Sequence, residues 1–258
     1  MLAFKSGTPA NHEHADRNSF IFKTFDERLL TDPFGAAYDW RQKTWLLRLT
    51  EAHNAVLIDG KGHQYNDGRE GTNASMAEAK ILRYVDRGDF IWWNSEATQA
   101  YHLVNEDVRF VMRSVLFIKP DVILVFDQLE KGDKPSRFSA RFFPDNRDGK
   151  AKIQVHNNRF RIARPKANLF GKSLANVAVK AKKSKLDLPE KNGVFPFAEI
   201  IAAPGKQIQM VTVLKAQRIE DSGLPVIDIK KGEKEWAVTV NKLNVTIEVS
   251  GKLPEFLG

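Results

Sequence analysis

A succession of short segments rich in β-branched and aromatic residues is the feature that most constrains the fold of this chain. Turn signals such as DPFG at 32–35 and PDNRDGK at 144–150 separate these segments. Runs of this length and composition, bounded by turns, are typical of β-strands. The predicted strands in the first part of the chain are 19–25, 46–50, 54–59, 107–118, 122–129 and 137–143.

The C-terminal part continues the same pattern. Segments 226–229 and 236–240 predict a hairpin, and 244–249 predicts a further strand. Residues 75–85, SMAEAKILRYV, fit a helix, and their mixture of charged and apolar residues equally fits a strand leading into FIWW. There is no internal repeat and no linker, so we expect residues 1–258 to form one domain. The expected fold class is all-β, a large antiparallel sandwich of two sheets with few or no helices.

The charge of the chain limits the classes of partner. A formal net charge of +8 favours a polyanion, which could be nucleic acid, anionic lipid or acidic polysaccharide. The densest basic cluster, VKAKKSK at 179–185, has no aromatic platform or nucleic-acid motif beside it, so we interpret it as a solvated loop. No apolar run approaches the ~20 residues of a membrane span. We therefore expect neither a nucleic-acid nor a membrane partner.

Two absences further narrow the chemistry. The chain has no cysteine, which excludes disulfides and cysteine-ligated metals. Its opening, MLAFKSGTPA, lacks the apolar stretch of a signal peptide.

Two of the six histidines stand close together in NHEHADRNSF, residues 11–20. If residues 12–16 are extended, His12, His14 and Asp16 point to the same side, because side chains alternate along a strand. Two imidazoles and a carboxylate on one face can bind a divalent metal ion. A chance arrangement on a polar surface explains the same motif equally well, so the motif alone leaves both interpretations open.

Two later stretches extend this motif. In ERLLTDPFGAAYD (27–39) an aspartate ends an apolar strand, and in EAHNAVLIDG (51–60) a histidine precedes another strand. Together with NHEHADRNSF they resemble the C-terminal domain of heparinase II/III-like polysaccharide lyases, including related alginate lyases. The segment VMRSVLFIKPDVILVFDQLE (111–130) is similar to the arginine-bearing strand of that family and its partner. The resemblance covers at least residues 1–145.

The resemblance implies a zinc site and a role for each histidine of the HxH motif. The implied zinc ligands are His14, Asp32 and His53, with water in the fourth position. The first histidine, His12, would face the carboxylate of the substrate and would be the catalytic residue supplied by this chain.

The other polar residues near these motifs carry weaker implications. Asp16 and Asn54 could orient the imidazole rings by hydrogen bonding, or could be ordinary polar residues at a turn or strand end. His63, His102 and His156 lack any such context, so we interpret them as surface histidines.

The resemblance also implies the reaction, in which a uronate-containing acidic polysaccharide is cleaved by β-elimination. In that family the catalytic tyrosine comes from an N-terminal helical domain, which is missing from this sequence. Tyr38 and Tyr65 are nearby, but packing or loop roles are favoured for both. We therefore expect an incomplete catalyst, located in the periplasm or outside a bacterial cell. The alternative is a non-catalytic carbohydrate-binding or structural sandwich.

Four tryptophans are candidates for carbohydrate contacts. Trp92 and Trp93 are adjacent and should face opposite sides of a strand. Burial is favoured over a sugar-stacking platform for this pair. Trp40 and Trp45 flank a loop near the predicted zinc site, and their roles are left open.

Overall fold

The computed structural model describes residues 1–10, 13–63, 69, 76–251 and 253–257. The described chain is built from antiparallel β-strands, which confirms the all-β class. The strands are β1 Leu2–Phe4, β2 Phe20–Thr24, β3 Glu27–Leu30, β4 Val56–Ile58, β5 Lys80–Asp86, β6 Phe90–Glu96, β7 Val108–Ile118, β8 Val122–Lys131, β9 Phe138–Phe142, β10 Lys152–His156, β11 Arg159–Ala163, β12 Ala167–Ala175, β13 Val179–Lys185, β14 Pro196–Ala202, β15 Gln207–Arg218, β16 Ile227–Lys231, β17 Glu235–Val240, β18 Leu243–Glu248 and β19 Glu255–Leu257.

In the described residues, helical structure is limited to short pieces between strands. The α-helix α1 spans Thr98–His102, and 3-10 helices span Lys43–Arg48, Thr50–Ala52 and Glu190–Asn192. Among the described residues, no helix is long and apolar enough to span a bilayer.

The strands form four sheets. The largest has eight strands in the order β10-β11-β12-β15-β8-β7-β6-β5. A three-stranded sheet, β1-β2-β3, and a four-stranded sheet, β13-β14-β9-β4, lie at one face of it, and the C-terminal sheet β16-β17-β18-β19 lies at the other. The antiparallel sandwich is therefore confirmed, and it is assembled from more sheets than the two that the sequence suggested.

The main core fills the space on the inner face of the eight-stranded sheet. Val115 and Ile123 point inward from β7 and β8 and are fully buried. They join Leu29 of β3 and Ile200 of β14 in one apolar cluster. Burial of side chains that alternate along the strands explains why the apolar pattern was readable in the sequence.

A second core lies on the outer face, under the C-terminal sheet. Trp236 of β17 is fully buried there, with its ring centroid 5.5 Å from that of Phe126 on β8. Trp92 belongs to this outer core, whereas Trp93 belongs to the main core. The expectation that the adjacent tryptophans face opposite sides is confirmed, and both are buried rather than forming a sugar platform.

Three local predictions were wrong or incomplete. The segment 46–50 is not a strand, because the chain forms two 3-10 helices there and buries Trp45 and Leu47. Leucine favours helical conformations as readily as extended ones, so LLRLT was a weak strand signal. Segment 179–185 is solvated as predicted, but it is the edge strand β13 and not a loop. The ambiguous segment 75–85 forms part of strand β5, and helix α1 was not predicted.

Candidate metal centre

The structure brings the three predicted ligands together around one buried imidazole. His53 is fully buried, and its Nδ1 atom lies 3.0 Å from Oδ1 of Asp32. Its Nε2 atom lies 3.3 Å from Nδ1 of His14. The side chain of Asp32 keeps 40% of its surface exposed, so the group is open to solvent on the aspartate side.

Each of the three residues lies in an irregular segment next to a strand. Asp32 follows β3, and His53 follows the 3-10 helix Thr50–Ala52 shortly before β4. His14 lies before β2, in a segment that is not a strand. Because residues 13–18 are irregular, the alternation that would place Asp16 and His14 on one strand face does not apply to them.

Arg113 holds two of these segments in place from the inner face of β7. Its guanidinium is buried and pairs with Asp127 of β8 through contacts of 2.7 and 3.0 Å. Its Nη1 atom also donates to the backbone carbonyl of Asn18, at 2.8 Å, and to that of Asn54, at 2.7 Å. One buried cation therefore fixes the segment after His14 and the segment after His53 relative to each other.

Asn54 positions backbone and not an imidazole ring. Its Nδ2 atom donates to the carbonyl oxygens of Phe20, at 2.8 Å, and Thr31, at 3.1 Å. Its Oδ1 atom accepts a hydrogen bond from the backbone N–H of Phe143 at 2.7 Å. The side chain thus joins β2, the segment leading to Asp32 and the end of β9. In the described part of the chain it forms no hydrogen bond to a histidine.

Asp16 brings a second carboxylate to the group. It is 6% exposed, and one of its oxygens lies within 4.8 Å of ligand atoms of both Asp32 and His53. The ammonium group of Lys5 lies 2.9 Å from the carboxylate of Asp16. Asp16 is therefore close enough to act as a ligand or as a hydrogen-bonding partner of one, and Lys5 offsets its charge.

The electrostatics differ between the two imidazoles. Burial lowers the pKa of His14 to about 4, and the neighbouring His53 adds to this effect. Burial also disfavours charge on His53, but the hydrogen bond that its ring donates to Asp32, together with the negative charge of Asp32, outweighs burial and raises the pKa of His53. Although burial opposes it, the same contact lowers the pKa of Asp32. His14 is thus a neutral donor of a lone pair at neutral pH, whereas the contact with Asp32 favours a proton on His53.

The sequence interpretation missed His63, which is buried and is not a surface histidine. Its Nε2 atom accepts a hydrogen bond from the backbone N–H of Arg17 at 3.1 Å. Burial, helped by the charge of Arg17, holds the pKa of His63 well below its usual value. His63 follows a turn and has no motif of its own, so no signal in the sequence separated it from His102 and His156, which are exposed as predicted.

The predicted catalytic residue His12 lies outside the described residues, as does Tyr65. Tyr38 is 69% exposed, with the guanidinium of Arg48 4.6 Å from its ring centroid. Trp40 is 43% exposed, with the guanidinium of Arg41 at 5.6 Å. Trp45, by contrast, is buried. The loop after Asp32 therefore presents aromatic rings and cations to solvent.

The distances at the group suit a tetrahedral metal ion. Zinc binds imidazole nitrogen at about 2.0–2.1 Å, so two such ligands of a tetrahedral ion lie about 3.3 Å apart. The nitrogens of His14 and His53 are separated by this distance. Asp32 contacts the other nitrogen of His53, as carboxylates that orient metal-bound histidines do. An antiparallel sandwich in which His53 contacts His14 and has Asp32 and Asp16 nearby is a candidate metal-binding β-domain.

A match to a known protein family identifies the family of this β-domain. The family described as heparinase II/III-like, C-terminal, matches residues 1–223, and the chain belongs to it. No curated protein matches the chain. The match ends just before β16, so the C-terminal sheet lies beyond the matched range.

Solved structures of lyases share the fold. The heparan sulfate lyase HepC from Pedobacter heparinus is 16% identical, with a TM-score of 0.71, covering 96% of this chain and 39% of that one. A heparinase III gene product is also 16% identical, with a TM-score of 0.74, covering 99% of this chain and 39% of that one. The chain thus spans about two-fifths of the length of these proteins. Because their coverage extends past residue 223, the C-terminal sheet has a counterpart in them.

Proposed function

We propose that this chain is the zinc-binding β-domain of a lyase that cleaves uronate-containing acidic polysaccharide by β-elimination. The observation that carries the proposal is the contact of the His14 and His53 nitrogens at 3.3 Å, beside the carboxylates of Asp32 and Asp16. Membership of the heparinase II/III-like family and the net charge of +8 support an acidic polysaccharide as the substrate. A periplasmic or extracellular bacterial location would suit such a substrate.

The donor set fits zinc chemically. His14 and His53 would hold the ion through nitrogen, and Asp32, which contacts the other nitrogen of His53, would orient that ring. When bound, zinc would supply positive charge next to the substrate-binding surface and would fix the irregular segments that carry its ligands. Absence of cysteine leaves imidazole and carboxylate as the suitable donors.

β-Elimination needs two functions from side chains. The substrate carboxylate must be neutralised while a base removes the proton on the adjacent carbon. We assign the contact with the substrate carboxylate to His12, which remains a prediction. Exposed Arg41 and Trp40, in the loop after Asp32, suit an anionic sugar, because guanidinium binds carboxylate and the indole ring packs on a sugar face.

The described tyrosines do not supply an evident base. The hydroxyl of Tyr101 is buried and donates to the carbonyl of Val56, and burial raises its pKa. Tyr84 lies on β5, where its hydroxyl contacts Asp86. Tyr38 lies in the loop after Asp32, but it is mostly exposed. We therefore propose that the tyrosine base comes from a helical domain outside this chain, and that the isolated chain binds substrate without cleaving it.

Metal analysis is the direct test of the zinc site. The chain is stripped with a chelator, reloaded with zinc and measured for bound metal as the wild type, His14→Ala and His53→Ala. His102→Ala is the matched control, because His102 is exposed and far from the group in sequence and contacts. We expect about one zinc per chain in the wild type and the control, and a large loss in the other two variants. A folded wild type that binds no zinc would refute the metal assignment.

The proposal that the isolated chain does not cleave its substrate is tested by the absorbance of the unsaturated product of β-elimination. Heparan sulfate and alginate are incubated with the isolated chain. We expect no product from the chain alone. Product formation would contradict the need for an external base. If the chain binds neither zinc nor these polymers, it is better explained as a structural sandwich.

A further inference from the structure

The outer face of the eight-stranded sheet is only partly covered by the C-terminal sheet. Strands β10 and β11 extend beyond β12 at the end of the sheet. The edge of the covering sheet is anchored by Lys172 of β12, whose Nζ atom donates to the carbonyl of Ile227 at 2.8 Å. An open cleft of about 290 Å³ lies between this uncovered corner and the segment 224–227. Its size is near the lower end of the ~300–1,000 Å³ typical of ligand sites.

The side chains of the cleft are fixed by strand alternation. Phe160 and Ile162 of β11 point into the main core and are buried. Arg159 and Arg161 therefore point to the opposite face, where they line the cleft. In the pairing with β12, Arg159 lies opposite Lys172 and Arg161 lies opposite Phe170.

A row of basic side chains crosses three strands at the cleft. His156 pairs with Arg159, which in turn pairs with Lys172. Like charges directly opposite each other on a sheet are destabilising. The carboxylate of Asp228 lies 3.4 Å from the Nζ atom of Lys172 and offsets its positive charge. Within the described ranges, Arg159 has no carboxylate in ion-pair contact, and no aspartate or glutamate lines the cleft. A bound anion would relieve this repulsion.

The rest of the lining suits a sugar chain. Phe170 forms part of the floor, and Leu224 and Pro225 form an apolar wall. Sugar rings have apolar faces that pack on such side chains, and guanidinium groups bind carboxylate and sulfate groups through paired hydrogen bonds. We propose that this cleft is a second binding site, which holds a segment of acidic polysaccharide. The choice of a saccharide among polyanions rests on the proposed function.

The cleft and the metal centre lie on opposite faces of the same sheet. Arg113 projects from the inner face and contacts the segments that carry His14 and His53, whereas Arg159 and Arg161 project from the outer face. A polymer held in the cleft therefore leaves the metal centre free. Holding one part of a long chain raises the local concentration of the remainder near the protein.

Calorimetric titration at low salt tests this site. The probes are a heparin octasaccharide, an alginate octasaccharide and a neutral dextran of equal length. The variants are Arg159→Gln and Arg161→Gln, with Lys182→Gln as the matched control, because Lys182 is an exposed cation on the edge strand β13. We expect each arginine variant to weaken binding of an acidic probe about tenfold, as loss of one charge-assisted hydrogen bond implies. The control should change affinity by about twofold or less.

Three results with the probes, the arginine variants and their control would overturn the proposal. In the first, neither acidic probe binds. In the second, Lys182→Gln weakens binding of the acidic probes as much as the arginine variants do. In the third, single-stranded DNA binds as tightly as the acidic probes and the same arginine variants abolish its binding. The test is separable from the zinc assignment, since His53→Ala should keep its affinity for the octasaccharide if the cleft is the site. A His53→Ala variant that loses both zinc and octasaccharide would place binding at the metal centre and contradict the second site.

Discussion

Replacing Arg113 should destabilise both the fold and the metal centre. The side chains of Arg113 and Asp127 are each 1% exposed, so water cannot solvate Asp127 when its partner is removed. Breaking a buried ion pair in this way costs about 3–5 kcal/mol. Arg113→Met also leaves the carbonyl groups of Asn18 and Asn54 without their donor. We expect the free energy of unfolding to fall by at least the lower end of this range.

Urea unfolding of Arg113→Met and of the double variant Arg113→Met/Asp127→Leu separates these contributions. The second substitution removes the unpaired carboxylate and should restore part of the stability. It does not restore donors to the two carbonyls, and an unpaired buried polar group costs about 1–3 kcal/mol. The double variant should therefore remain less stable than the wild type, and its zinc affinity should be reduced even where it is folded.

A matched control is Arg28→Met, since the side chain of Arg28 is 53% exposed and 3.9 Å from Asp145. Exposed pairs contribute about 0–1 kcal/mol, so this variant should be close to the wild type. If Arg113→Met costs no more than Arg28→Met, the buried pair does not hold the two segments. A double variant with unaltered zinc affinity would likewise refute the positioning role.

Three further predictions concern protonation, hydrogen bonding and cooperativity. Because the pKa of His53 is raised in the folded protein, its protonation contributes stability to the metal-free protein that is fully present below the usual pKa of 6.5 and is lost as pH rises through the raised pKa. Urea unfolding at a series of pH values should show this loss with chelator present and should not show it for zinc-loaded protein. Asn54→Ala leaves three backbone groups unpaired and should lower the free energy of unfolding by about 2–4 kcal/mol, measured in the same way. Trp236→Ala should cost about 3–5 kcal/mol in a single thermal transition, because the C-terminal sheet shares a core with the large sheet; a separate early transition would show that this sheet unfolds independently.

The central strands could be predicted from the sequence, because the alternation of apolar side chains and the residues that favour turns are properties of short segments. Segments 107–118 and 122–129 carried that signal and form the centre of the large sheet, β7 and β8. The 3-10 helices near residue 46 were not readable, since they bury Leu47 in an apolar cluster with residues distant in sequence, such as Phe143 and Phe197. The position of the C-terminal sheet on the outer face of the large sheet could not be predicted either, because the pairing order of strands and the face that a sheet covers depend on contacts distant in sequence.

The site was predictable only in part, and for a similar reason. The resemblance to the lyase family identified His14, Asp32 and His53, and the structure places Asp32 and His14 against the two nitrogens of His53. The residues that position them were readable only in part. Arg113 and Asp127 lie in the segment 111–130 that resembles the arginine-bearing strand of the family, but the contacts of Arg113 with the backbone of Asn18 and Asn54 were not predicted. His63 gave no signal, because it contacts a backbone N–H of Arg17, and such contacts place little restriction on the identity of their partner.

The arrangement at His53 makes metal and proton competitors for the same position. A fully buried imidazole needs partners at both nitrogens, and Asp32 occupies one of them. The other faces His14, which the lowered pKa of about 4 keeps neutral. Because the contact with Asp32 raises the pKa of His53, it favours a proton on this ring, and a metal ion between the two rings would compete with that proton. The carboxylate would therefore serve both states, since it favours the imidazolium in the metal-free protein and would fix the ring for coordination of a metal.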